Sequence, residues 1–145
     1  EEKKMGAQQI LLLILSIIII GTTIIVGLTL YKDQAYTAAK TALSTEAKDY
    51  ANKFCNNYQA LAGQKTEDSV SVFPDTAQLG NYVGWDANSI TTEAGTFSIS
   101  AVSDTCVSIT GYAKARRKDK SPQVTVTITL PEGKITVTEK DRVTK

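Results

Sequence analysis

The side chains that could support chemistry in this 145-residue chain are few and widely separated. There is no histidine, which excludes a histidine-based catalytic triad and a histidine metal site. The carboxylates are scattered, and no glycine-rich loop of the kind that cradles a phosphate group occurs. These observations predict that the protein is not an enzyme and that it uses no cofactor or metal ion.

The two cysteines, Cys55 and Cys106, are the most reactive side chains that remain. They do not form a CxxC motif, so their spacing indicates neither a redox site nor a zinc site. In an exported protein the default expectation is that they form a disulfide. That bond would tie a helix to a sheet and close a loop of about fifty residues, worth about 4 kcal/mol in the chain-entropy model. The alternative is two free, buried thiols.

A hydrophobic segment without any charge occupies residues 10–30. As a helix it would be about 31 Å long, which matches the hydrocarbon core of a bilayer and exceeds the apolar core of a signal peptide. Lys3 and Lys4 precede it and favour a cytoplasmic N-terminus, with the remainder of the chain outside. Its apolar surface would consist of Ile10, Leu11, Leu12, Leu13, Ile14, Leu15, Ile17, Ile18, Ile19, Ile20, Ile24, Ile25, Val26, Leu28 and Leu30.

The helical pattern continues beyond this segment. No proline occurs before Pro74, and apolar residues recur at steps of three and four. We therefore expect one helix from about residue 8 to about residue 61, whose second half lies on a globular domain. Charged residues, among them Lys40 and Glu46, fall largely on the opposite side. The predicted apolar face comprises Ala35, Ala39, Ala42, Leu43, Ala47, Tyr50, Ala51, Phe54, Tyr58 and Leu61.

In the last third of the chain, the apolar residues recur with a period of two. After a polar loop and a connector with one short strand near residues 70–73, apolar residues alternate with Ser and Thr in two hairpins. The first hairpin covers about 97–110 and the second about 123–140. Such alternation predicts an antiparallel sheet that is apolar toward the helix and rich in threonine toward solvent. The expected fold class is α+β: a long N-terminal helix, hydrophobic in its first half, packed by its second half on a sheet of about four strands.

The predicted organisation has four parts. They are a polar, leader-like N-terminus (1–9), a hydrophobic transmembrane or filament-core helix (10–31), its amphipathic continuation (32–62) and a globular β-domain (63–145).

The stretch KKMG-AQQILLLILS and the long helix after it resemble the type IV pilin superfamily, whose members combine a short basic leader, a glycine before the cleavage site and a long hydrophobic helix on a sheet. The resemblance implies cleavage by a prepilin peptidase between Gly6 and Ala7. Pilins usually carry a glutamate fifth after the cut, whereas that position here is Leu11. If the first residues are instead retained, Glu1, Glu2, Lys3 and Lys4 could pair between subunits in its place.

Four small or β-branched residues, Gly21, Thr22, Thr23 and Gly27, interrupt the aliphatic run. In one interpretation they allow close packing between helices. In the other they form a weak point where the helix melts locally in a filament, because glycine costs about 1 kcal/mol inside a helix.

A basic run between the two hairpins gathers Lys114, Arg116, Arg117, Lys118 and Lys120 around Asp119. Three interpretations remain open. The run is a solvated loop, a contact to acidic residues of an adjacent subunit, or a site for DNA or another anionic surface. Nucleic acid has little support because no aromatic residues interleave with the charges, and the formal net charge of +1 gives no general attraction. The acidic residues considered for the subunit contact are Glu67, Asp68, Glu139 and Asp141.

The resemblance implies a structural subunit of an extracellular, type IV pilus-like filament that supports adhesion, motility or surface interaction. Its partners would be other copies of the chain in a helical homopolymer, the pilus assembly machinery with its prepilin peptidase, and the inner membrane before assembly. The alternatives are an N-terminally anchored bitopic envelope protein with an exterior binding domain, and a minor pseudopilin of a secretion system.

Overall fold

The structure, a computed structural model, describes residues 2–62, 76–130 and 132–143, except for the side chains of residues 2, 3, 5, 62 and 76. Two compact units are present, Glu1–Ala35 and Tyr36–Lys145. The elements in chain order are helix α1 (Glu2–Ala62), a 3-10 helix (Thr76–Tyr82), and strands β1 (Ser89–Thr91), β2 (Thr96–Ser103), β3 (Cys106–Tyr112), β4 (Lys120–Thr129) and β5 (Lys134–Val143).

The second unit confirms the predicted α+β class. In the part of the chain that the structure describes, five strands form one antiparallel sheet in the order β1-β2-β3-β4-β5, so each strand pairs with the next one along the chain. The two predicted hairpins are β2–β3 and β4–β5. The fifth strand, β1, was not expected: three residues pair with the start of β2 and extend the sheet by one short edge. The strand predicted near residues 70–73 lies outside the described residues.

The alternation in β3 and β4 fixes which side chains form the core. Val107 pairs with Ile128 and Ile109 pairs with Val126, and all four side chains are fully buried. The intervening Ser and Thr side chains lie on the other face of the sheet. The sheet is therefore apolar on one face and hydroxyl-rich on the other, as the period of two predicts.

The second half of α1 covers the apolar face of the sheet, with Leu43, Ala47, Ala51 and Phe54 fully buried. The predicted helix face is correct for most of its residues and wrong for three of them, because Ala35, Ala42 and Leu61 are exposed. The buried stripe begins instead at Tyr36, which is 8% exposed. A stripe of period 3.6 starting at Tyr36 continues through Leu43, whereas one through Ala35 and Ala42 is rotated by one residue out of the contact.

A close approach of backbone and side chains explains one glycine in the sheet. A Cβ atom at Gly111 in β3 would lie 2.6 Å from Cε1 of Phe97 and 3.3 Å from Cδ1 of Leu43. Only glycine leaves room there for the phenyl ring of β2 beneath the helix. The helix therefore sits directly on the β2–β3 hairpin at this point.

The expected disulfide between Cys55 and Cys106 is wrong: both cysteines are free. Cys55 is buried on α1, with its Sγ 3.9 Å from the carbonyl oxygen of Gly133. Cys106 pairs in register with Thr129, and its Sγ lies 3.9 Å from the Thr129 hydroxyl. Because Val107 points into the core, its neighbour Cys106 points to the hydroxyl-rich face, and the sheet separates the two thiols.

Candidate functional site

The first candidate surface is the apolar segment of α1, residues 10–30. Its large aliphatic side chains are all exposed, from 49% at Ile14 to 67% at Leu11. The segment belongs to a helix that is long and apolar enough to cross a membrane, and its most apolar stretch is not buried. An uninterrupted apolar surface of this size is compatible with membrane anchoring and marks a membrane or helix–helix contact.

The hydroxyl side chains of this segment form hydrogen bonds to the backbone of the same helix. The Thr22 and Thr23 hydroxyls donate to the carbonyl oxygen of Ile19 at 2.9 and 2.8 Å, and Ser16 and Thr29 make the same kind of bond one turn back. Such bonds remove the cost of placing a hydroxyl in an apolar environment. The surface therefore presents almost no unsatisfied polar group to lipid or to another helix.

The suggested weak point is helical throughout residues 21–27 in this structure. Nothing lies within 4 Å of a Cβ atom built at Gly21 or at Gly27, so both glycines leave open space on the helix surface. Local melting and close helix packing are both properties of an assembled state, and both stay predictions.

The predicted processing junction also lies within α1. Gly6 is half-buried, Ala7 is exposed and Lys4 is exposed. Glu1 and the side chains of Glu2 and Lys3, which we considered for pairing between subunits, lie outside the described part of the chain, as do Glu67 and Asp68.

The second candidate surface is built by the basic run. The backbone N–H of Arg117 donates to the Lys120 carbonyl at 2.8 Å, and the reverse bond measures 3.1 Å, so residues 117–120 form a tight turn. Lys118 takes a φ of +55° in this turn. The whole run is exposed at its cationic positions, including Lys114 and Arg116.

This turn forms one wall of an open groove of about 430 Å³. We call it the basic groove. Lys114 and Arg116 do not line it, so the structure brings together only three of the five predicted cations. The lining residues are Tyr36, Arg117, Lys118, Asp119, Lys120, Asp141 and Val143.

A hydrogen-bonded pair forms the floor of the basic groove. The Tyr36 hydroxyl donates to Oδ1 of Asp141 at 2.6 Å. Burial, and then the adjacent carboxylate, raise the pKa of Tyr36 to about 12. The same hydrogen bond is the main reason why the pKa of Asp141 is lowered, and Lys40 contributes in the same direction. The pair is therefore a neutral phenol and an ionised carboxylate at neutral pH.

Lys40 joins the helix to β5 beside this pair. Its Nζ lies 3.6 Å from Oε2 of Glu139 and 3.8 Å from Oδ1 of Asp141. The assignment of Lys40 to the side of the helix away from the domain is therefore wrong, because it lies at the border of the contact. The same assignment is wrong for Glu46, whose Oε2 accepts a hydrogen bond of 3.1 Å from the Thr92 hydroxyl of the domain. Glu139 and Asp141, considered as partners for a neighbouring subunit, are engaged within the chain.

Three residues of this site, Tyr36, Lys40 and Asp141, were missed as a group by the sequence analysis. The alternation in β5 could have indicated Asp141. Every second position of this strand is occupied in turn by Ile135, Val137, Glu139 and Asp141. These residues therefore share the face of β5 that is turned toward the helix. Along that face the side chains change from apolar to acidic. A cation from the helix would be needed beside the acidic ones.

The described residues contain no group of three or more His, Cys, Asp or Glu side chains that could hold a metal ion. Comparison of the chain with models of protein families, with curated proteins and with solved structures found no match. The resemblance to type IV pilins therefore rests on the sequence pattern of residues 3–61.

Proposed function

We propose that the protein is a structural subunit of an extracellular, type IV pilus-like filament, held in the membrane by its N-terminal helix before assembly and bundled through the same helix afterwards. The observation that carries the proposal is the exposure of every large aliphatic side chain of residues 10–30, around the whole helix. A surface that is apolar on all sides needs apolar neighbours on all sides.

The apolar helix can leave water for either of two environments, lipid or neighbouring helices. Removing about 1,500 Å² of apolar surface from water is worth over 30 kcal/mol at about 25 cal/mol per Å². A helix in water is therefore untenable, and lipid or neighbouring helices must cover it. Between lipid and neighbouring helices the difference is small, because lipid tails are as apolar as leucine. Packing quality would then decide whether the helices bundle, and the transfer from lipid would need an assembly machine.

Gly21 and Gly27 favour bundling over simple anchoring. Both lie six residues apart within the span and leave open space on its surface. Small residues allow helix backbones to approach closely in an apolar medium, whereas an anchor that only contacts lipid gains nothing from them. The β-domain, polar on its threonine-rich face, would form the outside of the filament and support adhesion, motility or surface interaction.

The proposal is tested by electron microscopy of the fraction sheared from intact cells, with the chain identified in that fraction by mass spectrometry. Thin filaments composed chiefly of this chain are the expected result. The N-terminal peptide recovered from them, beginning at Glu1 or at Ala7, determines whether the Gly6–Ala7 bond is cut.

A pair of matched variants distinguishes the filament from the anchored alternative. Gly21→Leu keeps the span apolar but fills the open space, so the chain should remain in the membrane fraction while filaments disappear. Ile20→Leu changes shape without adding volume and should retain both properties. If no filament contains the wild-type chain, or if Gly21→Leu assembles normally, the bundling role fails and the anchored bitopic protein or minor pseudopilin takes its place.

A further inference from the structure

The hydroxyl-rich face of the sheet, which is turned away from α1, carries its hydroxyl groups in continuous rows across the strands. One row takes a residue from each described strand, and each residue pairs in register with the next: Ser89, Ser98, Thr110, Thr125 and Thr138. Neighbouring strands lie about 4.8 Å apart, so this row is about 19 Å long. It is half-buried in its centre and exposed at both ends, as expected of a face that none of the described elements covers.

A second row of hydroxyl groups lies beside the first, two residues further along the strands. It consists of Ser100, Ser108, Thr127 and Thr136, again paired in register. The hydroxyls of Ser100 and Ser108 lie 3.2 Å apart, and either of them could be the donor. Because a hydroxyl group both donates and accepts hydrogen bonds, the two rows suit a ligand that carries many hydroxyl groups of its own.

The charged residues of the hydroxyl-rich face are all basic and all lie on β5. Lys134, Lys140 and Arg142 alternate with the helix-facing residues of this strand and share the face of Thr136 and Thr138. Lys140 and Arg142 are about 7 Å apart along the strand. None of the described strand residues on this face is acidic, and within the described part of the chain no salt bridge involves these three cations. The face therefore offers its positive charges to an anionic ligand.

Arg142 is held in a defined orientation on this face. Its Cζ lies 5.2 Å from the centre of the Tyr112 ring, a cation–π contact. A planar guanidinium group that is fixed in this way can receive a carboxylate with two parallel hydrogen bonds. Among the described strand residues of this face Tyr112 is the only aromatic one, so the contact takes the ring on which a nucleic-acid base would stack. The geometry favours a carboxylate-bearing ligand over nucleic acid.

Two general properties of strands account for part of this surface but not for all of it. Threonine favours strands, and lysine on an edge strand discourages aggregation. Serine is not a favoured strand residue, yet Ser98, Ser100 and Ser108 lie in β2 and β3. Charge of either sign would protect an edge, yet the acidic residues of β5, Glu139 and Asp141, lie only on the face toward the helix. A surface that binds an anionic, hydroxyl-rich ligand accounts for the serines and for the separation of the charges together.

We propose that the hydroxyl-rich face binds an acidic polysaccharide, with a uronic-acid carboxylate at Lys140 and Arg142 and the sugar hydroxyls along the two rows. Lys134, about 20 Å from Lys140 along β5, would contact a second carboxylate of the same polysaccharide chain. The inference rests on the proposed function, because it names the ligand through which the β-domain would support adhesion or surface interaction. Binding belongs to the single chain, so loss of binding and loss of filaments are separate results.

The test uses the full chain in dodecyl maltoside micelles and an oligogalacturonate that carries a fluorophore at its reducing end. Fluorescence anisotropy measures binding at an ionic strength of about 0.1 M, where exposed charges more than about 10 Å apart are largely screened. The matched ligand is the same oligomer with its carboxylates methyl-esterified, which keeps the hydroxyl groups and removes the charge. We expect the acid to bind at least about tenfold more tightly than the ester, because each exposed ion pair contributes up to about fivefold.

Charge variants locate the carboxylate contact. Lys140→Gln and Arg142→Gln should each weaken binding of the oligogalacturonate about threefold, and together about tenfold. The control is Lys48→Gln, which removes the same charge from an exposed residue of α1, the element on the opposite face of the sheet. It should leave binding unchanged. Emission of the buried Trp85, the only tryptophan, verifies that each variant is folded.

A hydroxyl variant tests the rows separately. Thr125→Val keeps the β-branched shape and the strand preference at the centre of the first row but removes the hydroxyl group. It should weaken binding of the oligogalacturonate about fivefold, the usual effect of one lost hydrogen bond. Thr45→Val, the same change at an exposed position of α1, should leave binding unchanged.

Any of three results would overturn the proposal. The first is equal binding of the acid and its methyl ester by the wild-type chain. The second is a loss at Lys48→Gln as large as that at Lys140→Gln, since the effect would then come from general charge and not from this face. The third is an oligothymidylate of the same total charge that binds as tightly as the oligogalacturonate, which would make the face a site for nucleic acid or for polyanions in general.

Discussion

The hydroxyl of Tyr36 donates a hydrogen bond of 2.6 Å to Asp141, a residue 105 positions later in the chain. This bond joins the first buried residue of the helix stripe to the end of the last strand. It stands beside the ion pairs of Lys40 with Glu139 and Asp141. The N-terminal and C-terminal ends of the second unit are therefore connected at one place, which is also the floor of the basic groove.

The first prediction concerns the carboxylate of this bond. Tyr36→Phe should raise the pKa of Asp141 toward its ordinary value, because the hydrogen bond is the largest cause of its lowering. A lowered folded-state pKa contributes stability above the unfolded value of about 4, and that stability is lost as the pH falls through the folded value. The stability difference between wild type and variant should therefore shrink below about pH 4.

The measurement is a pH titration of the aspartate carboxyl carbons by NMR in the micelle-solubilised chain. Tyr31→Phe is a suitable control, since Tyr31 is 70% exposed and should not affect Asp141. An unchanged pKa of Asp141 in Tyr36→Phe would show that the hydrogen bond is not formed in solution.

The second prediction concerns alkaline pH. The pKa values of Tyr36 and Tyr50 are raised to about 12, in each case first by burial and then by a hydrogen bond to a carboxylate, that of Glu46 for Tyr50. Between about pH 10 and pH 12 the unfolded chain loses protons that the folded chain keeps. Stability is therefore fully present below about pH 10 and falls as the pH rises through this window.

Denaturant unfolding followed by Trp85 emission at pH 9 and at pH 11 measures this loss. The double variant Tyr36→Phe, Tyr50→Phe should lose much less stability between the two pH values. An equal loss in the double variant would assign the alkaline instability to other groups.

The third prediction concerns the free cysteines. Cys106 is partly exposed, and hydrogen bonds, first that with Ser103 and then that with Thr129, lower the pKa of its thiol. Burial raises the pKa of the Cys55 thiol. Because the thiolate is the reactive form, a maleimide should label about one thiol per folded chain, and that thiol should be Cys106.

Mass spectrometry of the labelled peptides identifies the site, with the urea-unfolded chain as the reference for two labels. Cys106→Ser should abolish labelling of the folded chain, whereas Cys55→Ser should leave it intact. A chain that takes no label until it is reduced would contain the disulfide that this structure lacks.

The fourth prediction concerns the packing of the helix on the sheet. Gly111→Ala should destabilise the β-domain by about 1–3 kcal/mol, because the new methyl group would meet Phe97 at 2.6 Å. Urea unfolding monitored by Trp85 emission measures the effect.

The matched control is Gly21→Ala, the same change at a position with nothing within 4 Å. It should leave the unfolding of the β-domain unaltered. A Gly111→Ala domain as stable as wild type would mean that the helix and the β2–β3 hairpin are packed less closely than described.

Much of the fold could be predicted because it depends on local periodicity. The absence of charge in residues 10–30 determines the apolar helix, and spacing of three and four predicts its continuation to Ala62. Alternation of period two predicts the two hairpins. The same alternation placed Cys106 on the face of Ser108 and Thr110, so the missing disulfide was already indicated by the pattern of β3. The short strand β1 carries too few residues for any period to be recognised.

The candidate surfaces, like the fold, could be predicted from the sequence only in part. The sequence by itself determined the apolar surface of residues 10–30 and the exposure of the basic run, since both follow from the composition of a contiguous segment. Only the tertiary structure decided that Arg117, Lys118 and Lys120 meet Tyr36 and Asp141. That meeting depends on the rotation of the helix about its axis and on the register of β5. A shift of one residue in either would turn these side chains away from one another.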